Sequence, residues 1–292
     1  MEKPGKKKHS LWKDIWRRFR KNPAAMAGLV IIILLVLAAI FADVLTPEGL
    51  DYQNLDRRNL TSMTASQDML HIMGTDNLGR DMFSRIIYGT RTSLQIGFIV
   101  VTISMIAGVL LGSVAGYYGG VSDNIIMRIV DILLAIPSIL MAIAIASALG
   151  PGMVNVMIAV GIGAIPGYAR VVRAAVLSIR EQEFIEAARA IGCNDFRIIT
   201  RHILPNCMAP IIVQSTLGLA GAIISAAALS FIGLGIQPPV PEWGYMLSQG
   251  RRFIRDYPFM SLYPGLAIVV VVLALNMLGD GLRDAFDPKL KK

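Results

Sequence analysis

Charged side chains are absent from long stretches of this chain, and these charge-free stretches are its clearest pattern. They cover residues 24–42, 92–122, 132–169, 203–241 and 257–279. A continuous apolar stretch of roughly 18 residues or more is typical of a helix that crosses a bilayer, because charge is costly in hydrocarbon. The pattern therefore predicts a membrane protein made of helices.

Turn-forming residues divide the two longest stretches. Gly150-Pro151-Gly152 splits the third stretch into a hairpin of two helices. Prolines near both ends of the fourth stretch leave room for one long helix between them. We therefore predict an all-α polytopic fold with six transmembrane helices. These helices are predicted at 24–45, 92–116, 126–149, 153–172, 208–234 and 262–282.

Lysine and arginine are unevenly distributed between the two sides of this arrangement. The segments on the side of the N-terminus hold 20 of the 28 basic residues, and the two segments on the opposite side hold 8. Because basic residues favour cytoplasmic loops, both termini are predicted to be cytosolic. The predicted segments are a basic cytosolic tail at 1–23, the first transmembrane helix at 24–45, an external segment at 46–91, a five-helix core at 92–282 with a cytosolic loop at 173–207, and a cytosolic tail at 283–292.

The basic tail has an amphipathic pattern of its own. Leu11, Trp12, Ile15, Trp16 and Phe19 fall on one helical face, and basic residues surround the rest. Such a helix suits the surface of an anionic inner leaflet. Basic residues that serve only to keep the N-terminus in the cytosol explain the same charge equally well, so both interpretations stand. A cleaved signal peptide is disfavoured by the length of the apolar stretch that follows.

The composition supports a membrane protein and excludes several other classes. Apolar residues make up 54 % of the chain, charged residues 16 %, and the mean hydropathy is +0.59. This balance disfavours a soluble enzyme, because soluble domains carry about 25 % charged residues. The net charge of +8 does not indicate a nucleic-acid partner, because nine of the 28 basic residues lie in the short segment before the first span. Cys193 and Cys207 are too few for a disulfide framework and match no metal-binding spacing.

Two features of the predicted spans bear on packing and movement. Small residues recur at four-residue spacing at Gly108, Gly112 and Gly116, and at Gly218, Ala222 and Ala226. Such stripes let membrane helices approach closely. Pro137 and Pro166 fall inside the third and fourth spans, where each removes a backbone hydrogen bond and favours a kink. These features are compatible with a moving translocation path and are also common in static bundles.

Motifs that carry catalysis are missing from the sequence. It has no phosphate-binding Gly-x4-Gly-Lys-Ser/Thr loop, no His-Glu-x2-His and no Gly-x-Ser-x-Gly. The spans hold few ionisable groups, and Arg128 with Asp131 is expected to form an i, i+3 pair at an inner boundary. Ion-coupled transporters usually need such groups along their path. We therefore predict a protein that is not an enzyme and takes its energy from a partner.

The segment between the fourth and fifth predicted spans has the pattern of two short helices. Glu183 opens a run of helix-forming residues, Gly192 suits a helix C-terminus, and Asn194 or Asp195 can cap a second helix that Pro205 ends. Two short helices at a sharp turn would form a knob that projects into the cytosol. Such a knob can transmit force from a soluble partner to the spans.

This segment resembles the "EAA" loop of ABC-importer permease subunits. The loop has the pattern Glu-Ala-Ala, three residues, Gly, nine residues, Ile-x-Leu-Pro. The matching residues are Glu186, Ala187, Ala188, Gly192, Leu204 and Pro205. His202 occupies the Ile position, with Ile203 beside it, which puts only local packing in doubt. The resemblance implies an element that docks in a cleft on a cytosolic ATPase, and its candidate coupling residues are Glu183, Glu186, Ala187, Ala188, Gly192, Asp195, Leu204 and Pro205.

Two further motifs resemble the second permease subunit of the dipeptide/oligopeptide/nickel importers. One lies before the second span and the other follows the fifth. Their candidate residues are Gly74, Asp76, Gly79, Arg80 and Asp81 in the first motif, and Gly233, Gly235, Pro238, Trp243 and Gly244 in the second. Together with the coupling loop and the added first span, the resemblance covers nearly the whole chain.

The resemblance implies the permease core of a type I ABC importer in the cytoplasmic membrane of a prokaryote. The chain would pair with a homologous permease, two cytosolic ATPases would bind ATP and Mg²⁺, and an external binding protein would deliver dipeptides or oligopeptides. No cofactor is expected on this chain itself. The alternative cargo is nickel or a metal chelate. A passive channel, a self-powered transporter and a structural scaffold are the alternatives from other classes.

The second outer segment carries groups that such a binding protein could contact. Its aromatic residues are Trp243, Tyr245, Phe253, Tyr257 and Phe259. They could contact the binding protein, form part of a gate, or make an aromatic belt at the membrane interface. Arg251, Arg252 and Arg255 are expected to face acidic groups of a docking partner.

Overall fold

The computed structural model of the chain describes residues 11–49, 52–66 and 69–286. Positions 1–10 of the predicted basic tail and 287–292 of the predicted C-terminal tail lie outside the described residues. The apolar side chains predicted at positions 11 and 12 lie outside them as well.

The described residues are mostly helical. The helices are α1 (Leu11–Phe19), α2 (Pro23–Ile40), α3 (Ala42–Leu45), α4 (Met82–Tyr118), α5 (Gly120–Ala135), α6 (Ser138–Leu149), α7 (Met153–Arg180), α8 (Glu183–Ala190), α9 (Asp195–Ile198), α10 (Met208–Phe231), α11 (Trp243–Gly250) and α12 (Phe259–Phe286). Two short strands, β1 (Thr64–Ser66) and β2 (Met69–His71), form one antiparallel hairpin. The predicted all-α architecture is therefore confirmed.

Five helical segments of the described chain are long and apolar enough to cross a membrane, and a bent pair makes a sixth. The five are α2, α4, α7, α12 and the continuous segment Asp195–Phe231. The bent pair is α5 with α6, which turn through 89°. The predicted number of spans is confirmed, with the third span broken into two helices.

The break in the third span lies at Pro137. The preceding residue, Ile136, has an extended backbone with φ −91° and ψ 126°, because a residue before proline is disfavoured in the helical region. Pro137 is the N-cap of α6, and its carbonyl accepts the N–H groups of Leu140 at 2.9 Å and Met141 at 3.1 Å. A Cβ on Gly163, near the middle of α7, would lie 3.5 Å from the Ser138 carbonyl oxygen. The corner therefore packs against the middle of α7.

Other prolines leave their helices continuous. Pro166 lies buried within the unbroken helix α7. The prediction that Pro205 ends a short helix is wrong, because the chain stays helical from Asp195 to Phe231. A π-helical turn at Ile199–Ile203 and a 3₁₀ turn at Leu204–Cys207 place Pro205 in the first turn of a new segment. Proline is tolerated there because its missing N–H has no partner to lose.

Several helices extend beyond the charge-free stretches. Helix α4 begins at Met82, ten residues before the predicted start at 92. Its first turns include Arg85 and Arg91, whose charges are met by carboxylates. Arg85 Nε lies 3.7 Å from Asp76 Oδ2, and Arg91 Nη2 lies 3.0 Å from Asp43 Oδ2. Paired arginines let the helix continue past the apolar stretch.

The glycine stripe of α4 packs against α7. A Cβ on Gly112 would lie 2.5 Å from the Ala169 carbonyl oxygen, and one on Gly116 would lie 2.9 Å from Val176 Cβ. Real Cβ atoms do not approach backbone so closely, so the two helices pack at this distance only with glycine in place. The predicted use of these small residues is therefore confirmed.

The substitution Gly112→Leu should force α4 and α7 apart. Overpacking of this kind costs about 1–3 kcal/mol, so we expect the melting temperature of the purified protein to fall by about 2–12 °C. Gly221→Leu on α10 is the matched control, because a Cβ on Gly221 meets nothing within 4 Å. Thermal unfolding in detergent checks both; an unchanged melting temperature for Gly112→Leu would contradict the close packing.

The N-terminal helix α1 packs on the end of α12. Phe19 is buried, together with Ala25 of α2 and Ala285 of α12, and Ile15 packs against them. Trp16 is half exposed and stacks on the Phe19 ring at 5.8 Å. The apolar face of α1 is therefore shared between the protein and its surroundings.

Candidate functional site

The segment between α7 and α10 folds as the predicted knob. Helix α8 ends in a Schellman motif, in which Cys193 N–H donates to the Ala188 carbonyl at 3.1 Å and Gly192 N–H to that of Arg189 at 2.9 Å. Gly192 has φ +81°, a backbone conformation that L side chains rarely adopt. Asn194 then caps α9 by accepting the Arg197 N–H at 2.9 Å. The helix stop and the second cap agree with the sequence prediction.

One face of the knob is buried and the other is exposed. Ile185 and Ala188 of α8 and Ile198 of α9 pack with Val172 and Val176 of α7 in one apolar cluster. Three large apolar side chains point outward: Phe184 is 40 % exposed, Phe196 77 % and Ile191 80 %. We call Phe184, Ile191 and Phe196 the apolar tip. Exposed apolar groups that protrude from a charged loop are typical of a docking surface.

The candidate coupling residues occupy both faces of the knob. The exposed ones are Glu183, Glu186, Ala187, Gly192, Asp195 and Pro205. Ala188 is buried in the cluster and Leu204 is half-buried. Sequence reasoning missed the apolar tip, because the loop also holds buried apolar residues such as Ile185 and Ile198, and the pattern alone does not show which apolar side chains face outward.

The knob is attached to the end of α4. The Tyr117 hydroxyl donates to Asp195 Oδ1 at 2.7 Å, and the Arg189 guanidinium lies 5.3 Å from the centre of the Tyr117 ring. Arg180, at the end of α7, donates to the Gly116 carbonyl at 2.9 Å. A displacement of the knob is therefore transmitted to α4 as well as to α7, and sequence reasoning did not find Tyr117.

Helix α5 is held to α7 by two ion pairs. Arg173 Nη2 donates to Asp123 Oδ2 at 2.6 Å, and Arg170 Nη2 donates to Asp131 Oδ1 at 2.8 Å. The predicted pair between Arg128 and Asp131 is therefore wrong, because Asp131 turns to an arginine on the neighbouring helix. Packing of α5 against α7 brings Arg170 within hydrogen-bond distance of Asp131, and this contact across the two helices takes the place of the i, i+3 pair.

At the opposite end of the bundle, the first motif forms a tight polar turn. Asp76 accepts N–H groups of Leu78 at 2.8 Å and Arg80 at 3.0 Å, and its other oxygen binds Arg80 Nε at 2.6 Å. Gly74 and Gly79 have φ of +76° and +71°. A Cβ on Gly79 would overlap the Asn54 carbonyl. The motif therefore fixes the backbone rather than offering a free surface.

The same turn caps α4. Asp81 accepts the Ser84 N–H at 2.7 Å and the Ser84 hydroxyl at 2.8 Å, which satisfies donors at the start of the helix. Its second oxygen lies 2.9 Å from His71 Nδ1, and both side chains are buried. Sequence analysis did not single out His71 for this position.

The second motif closes the bundle around Trp243. This side chain is fully buried and donates from Nε1 to the Ile86 carbonyl at 3.2 Å. A Cβ on Gly89 would lie 2.9 Å from its ring, and one on Gly244 would overlap the Ala227 backbone of α10. Trp243 therefore belongs neither to an aromatic belt nor to a docking surface, so these two of its three interpretations are wrong, and a part in a gate stays a prediction.

Gly233 and Gly235 form the turn that follows α10. Gly233 has φ +88°, and its N–H donates to the Ser230 carbonyl at 3.1 Å. A Cβ on Gly235 would overlap Ser230, and the Gly235 carbonyl accepts the Gly152 N–H at 3.1 Å. The motif thus joins α10 to the turn between α6 and α7. Pro238 follows in the same loop.

Two buried carboxyl groups stabilise this end of the chain. Glu242 caps α11 by accepting the N–H groups of Gly244 and Tyr245 at 2.8 Å each, and burial raises the pKa of its carboxyl group. Glu48 accepts from Arg57 Nη1 at 3.0 Å, and burial is again the main cause that raises its pKa. Together with the polar turn around Asp76, these groups belong to a structure that we call the cap, residues 46–49, 52–66, 69–81 and 232–258.

The exposed segment 251–256 gives the cap a basic face. Arg251, Arg252 and Arg255 are exposed there beside one exposed carboxylate, Asp256, and Arg251 also lies 4.9 Å from the centre of the Phe231 ring. The four other aromatic residues considered, Tyr245, Phe253, Tyr257 and Phe259, are half-buried. Within the described ranges, no group of three metal-binding side chains comes together.

Comparison with known protein families identifies the family of this chain. The family described as "Binding-protein-dependent transport system inner membrane component" matches residues 108–292, more than half of the chain. The family described as "N-terminal TM domain of oligopeptide transport permease C" matches residues 10–62. The chain belongs to the binding-protein-dependent permease family. This membership confirms the resemblance drawn from the coupling loop and the two outer motifs.

Individual relatives extend the match over nearly the full length. The chain is 52 % identical to the dipeptide transport system permease protein DppC of Alkalihalophilus pseudofirmus, over 97 % of this chain and 91 % of that one. It is 47 % identical to the glutathione transport system permease protein GsiD of Pectobacterium atrosepticum, over 96 % and 92 %. It is 45 % identical to the di/tripeptide transport system permease protein DppC of Pseudomonas aeruginosa, over 96 % and 92 %.

The fold has a counterpart among solved structures. An inward-facing MetNI methionine ABC transporter chain superposes with a TM-score of 0.57 at 21 % identity, covering 70 % of this chain and 98 % of that one. The permease family, these relatives and this fold together identify a multi-pass permease subunit of an ABC importer in the inner membrane. It is a transport subunit, with no catalytic enzyme family indicated.

Proposed function

We propose that this permease is the pore-forming subunit of an ATP-driven importer of dipeptides and short oligopeptides. The observation that carries the proposal is the knob: a pair of short helices joined at Gly192, with an exposed apolar tip and a hydrogen bond to α4 between Tyr117 and Asp195. A tip of this kind suits a cleft on a cytosolic ATPase. The knob and both termini therefore face the cytosol, and the cap faces outward.

Coupling follows from the attachment of the knob to the transmembrane helices. Two ATPase subunits bind ATP and Mg²⁺, approach one another, and carry the knob of each permease with them. The Tyr117 hydrogen bond and the apolar cluster around Ile185 pass this displacement to α4 and α7. The bundle then shifts between inward-facing and outward-facing states, whose balance is set by their different affinities for nucleotide. This chain binds no nucleotide itself.

A second, homologous permease completes the pore in this proposal. Helix α5 offers a continuous apolar stripe of Val121, Ile125, Ile129 and Ile132, each more than half exposed. These residues recur every three or four positions and share one helical face. Since α5 contacts the rest of the chain mainly on its opposite side, the stripe is available to a partner helix.

The names of the relatives support a peptide cargo. Three relatives between 45 % and 52 % identical are named for dipeptides, di/tripeptides or glutathione. Glutathione and dipeptides share peptide bonds and free carboxylates, so a peptide is the chemical class common to these names. The second cargo considered, nickel or a metal chelate, has no comparable support.

Uptake measurements test this function. Uptake from a mixture of labelled dipeptides, pentapeptides and Ni²⁺ is compared between cells that lack the chain and the same cells after its gene has been restored. We expect restored uptake of the peptides alone, and loss of that uptake when the partner ATPases are removed but not when the ion gradient is collapsed. Restored Ni²⁺ uptake without peptide uptake would overturn the proposal.

The basic face of the cap should receive an acidic binding protein. We expect the double substitution Arg252→Glu, Arg255→Glu to raise the concentration of binding protein needed for half-maximal uptake by about tenfold, with a weaker dependence on salt. The double change to lysine keeps both charges and is the matched control. Uptake by reconstituted vesicles at several salt concentrations gives the answer, and unaltered uptake after charge reversal would exclude this face as the docking site.

A further inference from the structure

A cavity of about 280 Å³ opens on one side of the bundle, between α4, α6, α7 and α10. The volume is close to the lower limit of about 300 Å³ that is typical of sites for small molecules. Its polar lining consists of Ser104, Ser138, Tyr168, Gln214 and Ser225. No charged residue of the described chain lines it. Glycine and alanine make up much of the remaining wall.

The position of the corner at Pro137 shows that this cavity does not face lipid. Leu134 and Ser138, on either side of the corner, both line the cavity, and Ser138 packs on Gly163 near the middle of α7. Non-helical backbone at such depth is tolerated only where it is buried in protein or lines a space filled with water. The cavity is therefore filled with water or faces the partner permease across a shared passage.

We propose that this cavity is a transit site for the main chain of a peptide, an inference that rests on the proposed function. The Gln214 amide offers both a donor and an acceptor, and its side chain makes no hydrogen bond within the described residues. The Ser225 hydroxyl lies in the same wall. These groups match the N–H and C=O of a peptide bond, whatever side chains the peptide carries.

The lack of charge in the lining is consistent with a site that binds a peptide briefly and releases it, rather than one that retains it. A group that binds a substrate on its way through must hold it weakly enough to release it. Neutral hydrogen bonds meet this condition, whereas a buried ion pair with a peptide terminus would retain the cargo. The neutral lining also predicts that cationic and anionic dipeptides pass at similar rates once they are delivered.

The first test narrows the cavity without disturbing the packing. A Cβ on Gly221 meets nothing within 4 Å, so the side chain of Gly221→Leu occupies the cavity. We expect the maximal uptake rate of labelled Phe-Phe to fall about tenfold or more, and that of Ala-Ala to fall less than about threefold, as for pockets that discriminate by size. Gly265→Leu on α12 is the control, because Gly265 does not line the cavity and a Cβ there would make only an ordinary contact with Leu247 at 3.6 Å; it should leave both rates close to those of the wild type.

The second test gives the lining a charge. Gln214→Glu should raise the ratio of Lys-Lys to Glu-Glu uptake about fivefold at about pH 8, where a solvated carboxyl group is ionised. Gln214→Asn keeps the amide and should leave the ratio unchanged. A purely structural role for Gln214 would lower all rates together and would not move this ratio.

Binding of each dipeptide to the isolated binding protein is measured alongside, because that affinity is independent of this chain. If the wild type imports dipeptides while Gly221→Leu slows Phe-Phe and Ala-Ala equally and Gln214→Glu leaves the charge ratio unchanged, the transit site is wrong and the proposed function stands. If the wild type imports no dipeptide at all, both the function and the transit site are overturned.

Discussion

Gly192→Val should strongly reduce peptide uptake while leaving the protein inserted in the membrane. A Cβ on Gly192 meets nothing within 4 Å, so no clash prevents folding. The obstacle is its φ of +81°, which costs an L residue about 1–2 kcal/mol and a β-branched residue more. Relief of that strain breaks the Schellman hydrogen bonds and redirects α9. We expect uptake to fall about 5–30-fold or more, with ATP hydrolysis by the assembled complex retained but no longer coupled to uptake.

The matched control is Gly192→Asn, because asparagine tolerates the left-handed conformation better than other L residues. It should keep most of the wild-type uptake although it adds a larger polar side chain. The comparison separates backbone conformation from side-chain size at one position. Normal uptake by Gly192→Val, measured in vesicles with ATP hydrolysis followed in parallel, would refute the coupling role of the knob.

Phe196→Asp should prevent the ATPase subunits from binding. Phe196 is 77 % exposed on the apolar tip, so the substitution removes no packing within the chain. A carboxylate placed in an apolar cleft loses its hydration, and central apolar anchors of interfaces contribute 2 kcal/mol or more, so we expect binding to weaken by about 30-fold or more. Co-purification of the ATPases with the permease in detergent measures this directly.

Phe196→Leu keeps an apolar side chain and should retain the ATPases. Ile191→Asp, at the most exposed position of the tip, should behave as Phe196→Asp does. Thermal unfolding of the isolated permease should be the same for all three variants, because none of these side chains is buried. ATPases that remain bound to both aspartate variants would show that the complex docks elsewhere on the chain.

The number of spans could be predicted from the sequence because charge alone marks the limits of the hydrocarbon. Their boundaries could not, because the charges near the helix ends are neutralised by residues far away in the chain. Arg91 pairs with Asp43 across 48 positions, and Arg170 takes Asp131 from its sequence neighbour Arg128. A pattern along one helix does not reveal which carboxylate a neighbouring helix will bring.

The candidate site divides in the same way. The stop at Gly192 and the cap at Asn194 follow from local rules that need only a few adjacent residues, and both are confirmed. The bond between Tyr117 and Asp195 joins positions 78 residues apart, so no local rule reaches it. From its residue type alone, Trp243 is expected at the membrane interface. Packing against Ile86 and Gly89 instead buries its side chain completely.

Helix α4 is about 55 Å long, from its 37 residues, and exceeds the roughly 30 Å of hydrocarbon it crosses. One end is fixed in the cap by Asp81 and the other is bonded to the knob through Tyr117. It can therefore act as a lever: a tilt of about 5° around its centre moves each end by about 2 Å. In the proposed importer, thermodynamic coupling between the two ends of α4 is reciprocal. Binding of the loaded binding protein to the cap should change the affinity of the ATPases for nucleotide by a certain factor. Binding of nucleotide should change the affinity of the cap for the loaded binding protein by the same factor.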